Sequence, residues 1–480
     1  MTATPELTPW INGAALPRGP RTLTTVLAPY TGQPAARVAE ATAADLDAAI
    51  TAAEAGFRAV RALPRHARRD LLVRIADALT RERQSLGEEL AISCGKPISQ
   101  ALGEVDRAVM TFSFAADETR RFGGEVVPLD VDARTVGYTG TVHRFPVGPI
   151  SAITPFNFPL NLLAHKVAPA IAVGSALVVK PPPQCPQLAF RLGRILAECG
   201  LPAGGYNVLH LPIPVAEGLA TDPRFAMLTF TGSPAVGWHL KQVAGKKKVC
   251  LELGGNAAAV VHEDAGDLDW VAQRLALGAF AYAGQVCIKV QRVLVHQPIY
   301  QAFVNRLVAA AAALPCGDPL DPKTVVGPMI DAGAADRVQA WTDEAIRAGA
   351  EVLLAPTRRG TVLTPGLLAG VPRDAKVSCR EIFGPVTIVA PYQEWGDALA
   401  AVNDSDFGLQ AGVFTHDVNR IHQAFHALEV GGVIANDFPT LRVDNYPYGG
   451  VKDSGFGREG VRYAMEEMSE PRMLVINTTR

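Results

Sequence analysis

Several things that would decide a protein's class are missing from this chain. No stretch of its 480 residues runs the roughly 18 apolar positions of a spanning helix without a glycine, proline or charge breaking it. The opening "MTATPELTPWINGAALPRG" lacks the basic start and apolar core of a secretory signal. Charge of one sign is absent too: 45 Lys plus Arg face 47 Asp plus Glu, a net charge of −2, with no long run of either. That excludes the electrostatic footprint of a nucleic-acid binder or of a protein drawn to anionic membranes. Cysteine is scarce, and its seven positions, 94, 185, 199, 250, 287, 316 and 379, are odd in number and scattered. No CxxC or Cys/His pair has metal-ligand spacing, so no metal is expected, and reduced thiols in a cytoplasm are. The 10 histidines share no motif, which leaves a Cys–His hydrolase without its base.

What remains is an ordinary globular composition, 48% apolar, in a chain long enough for two or three domains. Residues 42–122 read as helical: in "TAADLDAAITAAEAGFRAV" and "RRDLLVRIADALTRERQSLGEELAI" the apolar positions recur at three and four, with Thr42 placed as an N-cap. Near residue 148 the rhythm changes. Short apolar runs, "ISAIT", "ALVVK", "YNVLHL", "AMLTF" and "AAAVV", alternate with helix-like stretches such as "LNLLAHKVAPAIAV" and "QLAFRLGRILAECG". The alternation predicts parallel strands with helical crossovers, a doubly wound α/β sheet. After about residue 256 it repeats less regularly through "YQAFVNRLVAAAAAL", "EVLLAP", "VTIVAPY" and "AGVFTHD", so two α/β domains in tandem are expected.

"GFGREG" (455–460) matches a dinucleotide fingerprint literally, but "YGGVKDS" before it is no strand and only 20 residues follow. Without a βαβ unit it reads as a glycine-rich loop. "FTGSPAVG" (230–237) is the better phosphate loop, since it follows the strand "AMLTF" and opens a helix, where Gly232 and Ser233 offer amides and a hydroxyl.

Four features share a chemical logic. "TPFNFP" (154–159) puts Asn157 at the carboxyl end of the first strand, and "VVKPP" (178–182) puts Lys180 on the same edge, where such sheets bind ligands. "LELGGN" (251–256) supplies Glu252 beside two glycines, and "GQVC" supplies Cys287, 35 residues later. A thiolate attacks a carbonyl, an amide and a backbone N–H hold the oxyanion, and a carboxylate activates water for the second half of the reaction. Singly, each has a plainer reading: Asn157 as a helix cap, Glu252 as a strand-end carboxylate, Cys287 as packing. The other cysteines are read that way.

At these residues the sequence resembles the aldehyde dehydrogenase superfamily over nearly its whole length, through "TPFNFP", "VVKPP", "FTGS", "LELGGN", "GQVC", "EIFGPV" (381–386) and "YGGVKDSG" in that order. The resemblance implies an aldehyde dehydrogenase-like α/β fold. It divides the chain into an NAD(P)-binding Rossmann-type domain (1–127 and 147–255), a catalytic domain (256–460) and a small β arm that pairs subunits (128–146 and 461–480). It implies Cys287 as nucleophile, Asn157 as oxyanion donor and Glu252 as general base. It also places Ile153, Thr154, Pro155, Phe156, Lys180, Pro183, Gly232, Ser233, Glu381 and Phe383 on the cofactor.

Departures from the family sharpen the reading. Many NAD-using relatives carry a glutamate where Pro183 stands; its loss, with Lys180 kept, favours NADP over NAD. The Pro-Gly turn usual before the "FTGS" strand is replaced by "VLHLPIPVAEG", which unsettles cofactor contacts from 210 to 215. The stretch 436–460 resembles the branch of lactaldehyde, non-phosphorylating glyceraldehyde-3-phosphate and phosphonoaldehyde dehydrogenases. Arg442 there, and Arg107 in "GEVDRAVMTF", would suit an aldehyde with an anionic tail. Against that stand Val286, where phosphate-handling relatives tend to carry arginine, and the alternative that both arginines pair with acids such as Asp106 or Asp444. The expected partners are a small aldehyde and further copies of the chain, as dimer or tetramer, through "TVHRFPV" (141–147) and "RMLVINTTR". Two other readings stay open: a CoA-acylating enzyme, against which Glu252 argues, and a non-catalytic binding protein of the same fold.

Overall fold

The computed structural model describes residues 4–479; residues 1–3 and 480, which the expected domain and arm boundaries include, lie outside the described residues. The predicted helical segment is four helices, α1 (Ala43–Ala62), α2 (Arg65–Arg81), α3 (Arg83–Cys94) and α4 (Ile98–Arg121). Thr42 caps α1 as expected. Its hydroxyl accepts from the Asp45 N–H at 3.2 Å while the Asp45 carboxylate accepts from the Thr42 N–H at 2.8 Å, satisfying two free N–H groups at once. α4 buries Ala101, Val105, Ala108, Phe112 and Ala115 along one face, and Glu104 among them.

The alternating segment forms an eight-stranded sheet. Five strands are parallel, in the order Lys248–Glu252, Met227–Thr231, Ile150–Ile153, Leu177–Lys180, Tyr206–Val208. The order reverses between Ile150–Ile153 and Met227–Thr231, the switch point at whose carboxyl end sheets of this kind bind ligands. Between the strands run α5 (Asn161–Val173) and α6 (Gln187–Glu198). All thirteen residues of α5 are buried, His165 and Lys166 included, so its polar side chains must find partners inside the protein.

A second, seven-stranded sheet is parallel apart from Glu351–Leu354, which runs antiparallel at one edge. Its central strands are Val386–Tyr392, Arg292–His296, Ala258–Val261 and Gln410–Phe414. A third sheet pairs Ser469–Asn477 with Tyr138–Pro146 over nine residues and adds Glu125–Val127. "TVHRFPV" and "RMLVINTTR" therefore lie largely on neighbouring strands.

"GFGREG" is not purely a loop. Gly455–Phe456 is a two-residue strand antiparallel to Lys248–Glu252, and the seven-residue helix Val461–Glu467 follows. An antiparallel edge strand cannot enter a βαβ unit, and the glycines serve turns, with φ of +82° at Gly457 and +91° at Gly460. The Val461–Glu467 helix packs Val461 and Met465 into the core that α4 and α5 share.

Candidate active site

Three chain segments converge on Cys287. "GQVC" follows a run of left-handed residues, Tyr282, Ala283 and Gly284, with φ of +53°, +53° and +66°. Two of these are not glycine, so surrounding contacts must hold the strained turn. The Cys287 thiol lies 3.3 Å from the Tyr448 hydroxyl. Burial pushes the thiol up to about 11, opposed by the Tyr448 hydrogen bond, which favours the thiolate. Asn157 is buried, and its amide donates to the Gln285 carbonyl at 3.1 Å while its oxygen accepts from the Phe158 N–H at 3.1 Å. One N–H of the amide is thus spent on holding the loop, and the other is available to a ligand. Glu252 ends its strand fully enclosed, and neither carboxylate oxygen has a hydrogen-bond partner. Burial, then the neighbouring Glu459 carboxylate, raise it well above the usual carboxylate range. The "GGN" glycines allow the close approach expected of them: a Cβ on Gly255 would lie 2.2 Å from the Cys287 carbonyl oxygen.

The carboxyl edge of the first sheet carries a row of polar groups with no internal use. The Thr154, Thr231 and His210 side chains each hold a buried atom without a hydrogen-bond partner. Lys180 is mostly enclosed, and its ammonium is pushed below the usual lysine range by burial alone. His210 is lowered to about 4 by burial and then by Lys180. Unpaired hydroxyls and a half-buried cation along one sheet edge suit a bound polyanion, so the residues fit a dinucleotide. Ile153 and Pro155 flank Thr154, and Pro183 is exposed just beyond Lys180. Gly232 donates its N–H to the Glu252 carbonyl at 3.0 Å, and Ser233, exposed, stands as N-cap to the helix Pro234–Val243 with its hydroxyl uncommitted. Phe156 meets Phe383 edge-on at 5.8 Å, joining the first strand's loop to "EIFGPV". Phe383 itself is held at φ +44°. Glu381 accepts from the Gly255 N–H at 2.9 Å and is raised to about 7 by burial.

The pattern of residues 17–474 is that of the aldehyde dehydrogenase family. The chain belongs to the aldehyde dehydrogenase family. A 3-sulfolactaldehyde dehydrogenase of Priestia aryabhattai is 42% identical over 453 residues, 94% of each chain. Aldehyde dehydrogenase 21 of Physcomitrella patens, solved with its reaction product succinate, is 42% identical with a TM-score of 0.97, covering 100% of this chain and 99% of that one. The glyceraldehyde-3-phosphate dehydrogenase GapN of Methanocaldococcus jannaschii, solved with NADP, is 38% identical with a TM-score of 0.91, covering 96% and 100%. The fold is the family's, and the protein is an NAD(P)-dependent oxidoreductase.

Within this aldehyde dehydrogenase the two arginines flagged in the sequence are not free. Arg107 donates twice to Asp444, at 2.6 and 3.1 Å, whereas Asp106 pairs with Arg83. Arg442 bonds Glu459 at 3.2 Å and lies 3.8 Å from Asp444. Its guanidinium stacks 3.7 Å over the Tyr448 ring, one side chain from the Cys287 thiol, and its Nε has no partner. Lys166 bonds Glu459 at 2.9 Å, and the His165 ring nitrogen meets Asp444 at 2.7 Å. Burial works against the ionised acids, but Lys166 and Arg442 hold Glu459 down to about 2, and His165 and Arg107 hold Asp444 far below its usual value.

Sequence reasoning passed over Tyr448, Lys166, Glu459, His165 and His210. Tyr448 stands in the family motif "YGGVKDSG", and Glu459 in the stretch read as a glycine-rich loop. The signal for the others was a lone polar residue in an apolar run, "LLAHKVAPAIAV" and "VLHL". One histidine group does assemble, His262, Glu263 and His296, at the opposite edge of the second sheet from Cys287. Its two imidazoles stack face to face, 4.3 Å apart at 29°, an arrangement in which their in-plane lone pairs do not converge on one ion.

Proposed function

We propose that this enzyme oxidises a small aldehyde with an anionic tail to the carboxylic acid, through a covalent intermediate on Cys287. The observation that carries the reading is the convergence of the half-buried Cys287 thiol, the spare N–H of Asn157 and the unpartnered Glu252 carboxylate. The Cys287 thiol gives its proton to water, its sulfur attacks the aldehyde carbon, and the carbonyl π electrons move to oxygen. The second N–H of Asn157 and the backbone N–H of Cys287 hold that oxyanion. Thr154, Lys180 and Thr231 would hold NAD(P)+, which would supply the hydride acceptor. The C–H bond breaks with its electron pair, leaving a thioester on Cys287. Glu252 in its ionised form then takes a proton from water, whose oxygen attacks the thioester and releases acid and thiol. The balance is aldehyde, NAD(P)+ and water to acid, NAD(P)H and a proton. An enclosed base with no other partner supports hydrolysis rather than transfer to CoA.

The anionic tail rests on Arg442. Two arginines and Lys166 share Asp444 and Glu459, which leaves the group net positive, and the Arg442 guanidinium stacks on the Tyr448 ring beside the thiol. The relatives named above act on or release acids of that kind, in keeping with this reading. NADP is the favoured cofactor on the strength of Lys180, with His210 beside it and Pro183 in place of a carboxylate. The domain division is proposed as the sequence suggested: 1–127 with 147–255 for the cofactor, 256–460 for catalysis, 128–146 with 461–480 as the arm. On that arm Met473, Leu474, Val475 and Ile476 are all about half exposed although successive side chains face opposite ways, so both faces of the ribbon are bare. Another copy of the chain, as dimer or tetramer, is the natural cover. Seven free thiols suit a cytoplasm, and no helix of the described residues is long and apolar enough to cross a membrane. Reduced-cofactor absorbance with anionic and neutral short aldehydes, each against NADP and NAD, tests the assignment: the best pair should be anionic with NADP. Neutral aliphatic aldehydes matching anionic ones would overturn the tail, and a large kcat/KM advantage for NAD would overturn the cofactor preference.

A further inference from the structure

Behind the reacting groups, and used by none of the steps above, lies a completely enclosed ion pair. Lys96, just past the left-handed Gly95 that ends α3, and Glu104, in the first turns of α4, are each 1% exposed and bonded to one another. Such a pair is a poor way to gain stability, because removing two charges from water costs about as much as their attraction returns. Its geometry points to a different use. The Lys96 ammonium sits 3.6 Å above the centroid of the Phe158 ring and 4.8 Å from that of Tyr282, and these rings meet edge-on at 6.4 Å. Phe158 follows Asn157 directly. Tyr282 begins the strained left-handed run that leads to Cys287, and its hydroxyl is tied to the Cys94 carbonyl at 3.2 Å. The other Glu104 oxygen accepts from the Leu160 and Asn161 N–H groups at 2.9 and 3.1 Å, capping α5 immediately after the Asn157 loop. One ion pair thus holds the Asn157 loop by its ring and by its following helix, and holds the Cys287 loop by its first ring. The single direct bond between the loops, Asn157 to the Gln285 carbonyl, lies between the two rings' segments.

We propose that Lys96, held by Glu104 between Phe158 and Tyr282, is a positioning residue that sets the distance from the Asn157 amide to the Cys287 thiol. The proposal rests on the reading of Asn157 as oxyanion donor and Cys287 as nucleophile. The cation is the one element that both rings share, and it is monovalent, compact and unable to leave a cage closed by protein on every side. Because the clamp touches neither aldehyde nor dinucleotide, loosening it changes the placement of the donor and not the binding of either substrate. A misplacement of about 1 Å at a reacting centre lowers rates by on the order of 100-fold.

The test is the paired isostere Lys96→Met with Glu104→Gln, which removes both charges, keeps the side-chain lengths and leaves a carbonyl to accept from Leu160 and Asn161. Phe158→Leu is the second variant, opening one ring contact with the ion pair intact. Steady-state kinetics, thermal melting and the rate of Cys287 alkylation by iodoacetamide are measured for each, with Asn157→Ala in parallel. The expected result is a kcat 10- to 100-fold lower with both KM values, the melting temperature and the alkylation rate near wild type. A folded variant that keeps wild-type kcat overturns the clamp. So does one whose kcat and melting temperature fall while both KM values rise, since that is general loosening. If the paired isostere does not fold, Phe158→Leu decides alone. Wild-type activity in Asn157→Ala overturns the oxyanion reading and the clamp with it, whereas a crippled Asn157→Ala beside active clamp variants removes the clamp alone.

Discussion

At the scale of single residues, the reacting groups are all held in their less reactive protonation states. Cys287, lifted to about 11, is a thiol at neutral pH, and burial and the Glu459 carboxylate push the Glu252 carboxyl well above the usual carboxylate range. Both must lose a proton to act, so activity should climb with pH from the acid side. Glu459→Gln removes the negative charge that raises Glu252 and leaves Lys166 and Arg442 to stabilise its anion. The acid limb of kcat should therefore move to lower pH, and a limb that stays in place or moves up contradicts the assignment of Glu252 as base. Arg442→Met should raise KM for anionic aldehydes by roughly 10- to 100-fold, the worth of one charge-assisted contact, with neutral aldehydes unchanged. Equal effects on both classes would mean that Arg442 only supports Tyr448. The proposed nucleophile and its partners were picked out in the sequence because each sits in a short motif shared with the aldehyde dehydrogenase family. Arg107 and Arg442 were legible as charges, and pairing with Asp106 or Asp444 was one of the two readings. Nothing local chose between those acids for Arg107, because its partner Asp444 lies 337 residues away along the chain.

At the scale of elements, strand ends and glycines build the site. Asn157, Lys180 and Glu252 leave the carboxyl ends of three parallel strands, and that was predictable from the strand–helix alternation. The edge strand Gly455–Phe456 was not, because two residues carry no periodicity. It brings Glu459 and Tyr448 to Glu252 and Cys287 through an antiparallel pairing that only the folded chain reveals. α5 shows the same limit: its all-round burial made His165 and Lys166 structural necessities, but their partners come from the far end of the chain. Gly255 is the element-scale test. A methyl group there would lie 2.2 Å from the Cys287 carbonyl oxygen, backbone that cannot step aside. Gly255→Ala should cut activity at least ~100-fold by displacing the nucleophile, and a variant with normal turnover would show that the loop moves freely.

At the scale of the whole molecule, acid stability and assembly follow from where the charges and bare faces lie. Glu459 is ionised in the fold with its value lowered to about 2, and Asp444 is lowered further. Carboxylates depressed by folding add stability above their unfolded values, near 4, and lose it as the pH falls through their folded ones. Unfolding monitored from pH 5 to pH 2 should show stability dropping steeply, and Glu459→Gln should flatten part of that slope. The arm predicts association: Leu474→Asp with Ile476→Asp should shift the sedimenting species to a smaller one, and an unchanged sedimentation coefficient would move the subunit contact elsewhere. The catalytic reading depends on one covalent event. Glu252→Gln enzyme, mixed with a short anionic aldehyde and NADP and quenched in acid, should carry a single acyl group on the peptide containing Cys287 by mass spectrometry, because acylation proceeds and hydrolysis does not. No adduct despite reduced cofactor, or an adduct on another of the seven cysteines, would contradict the account at its centre.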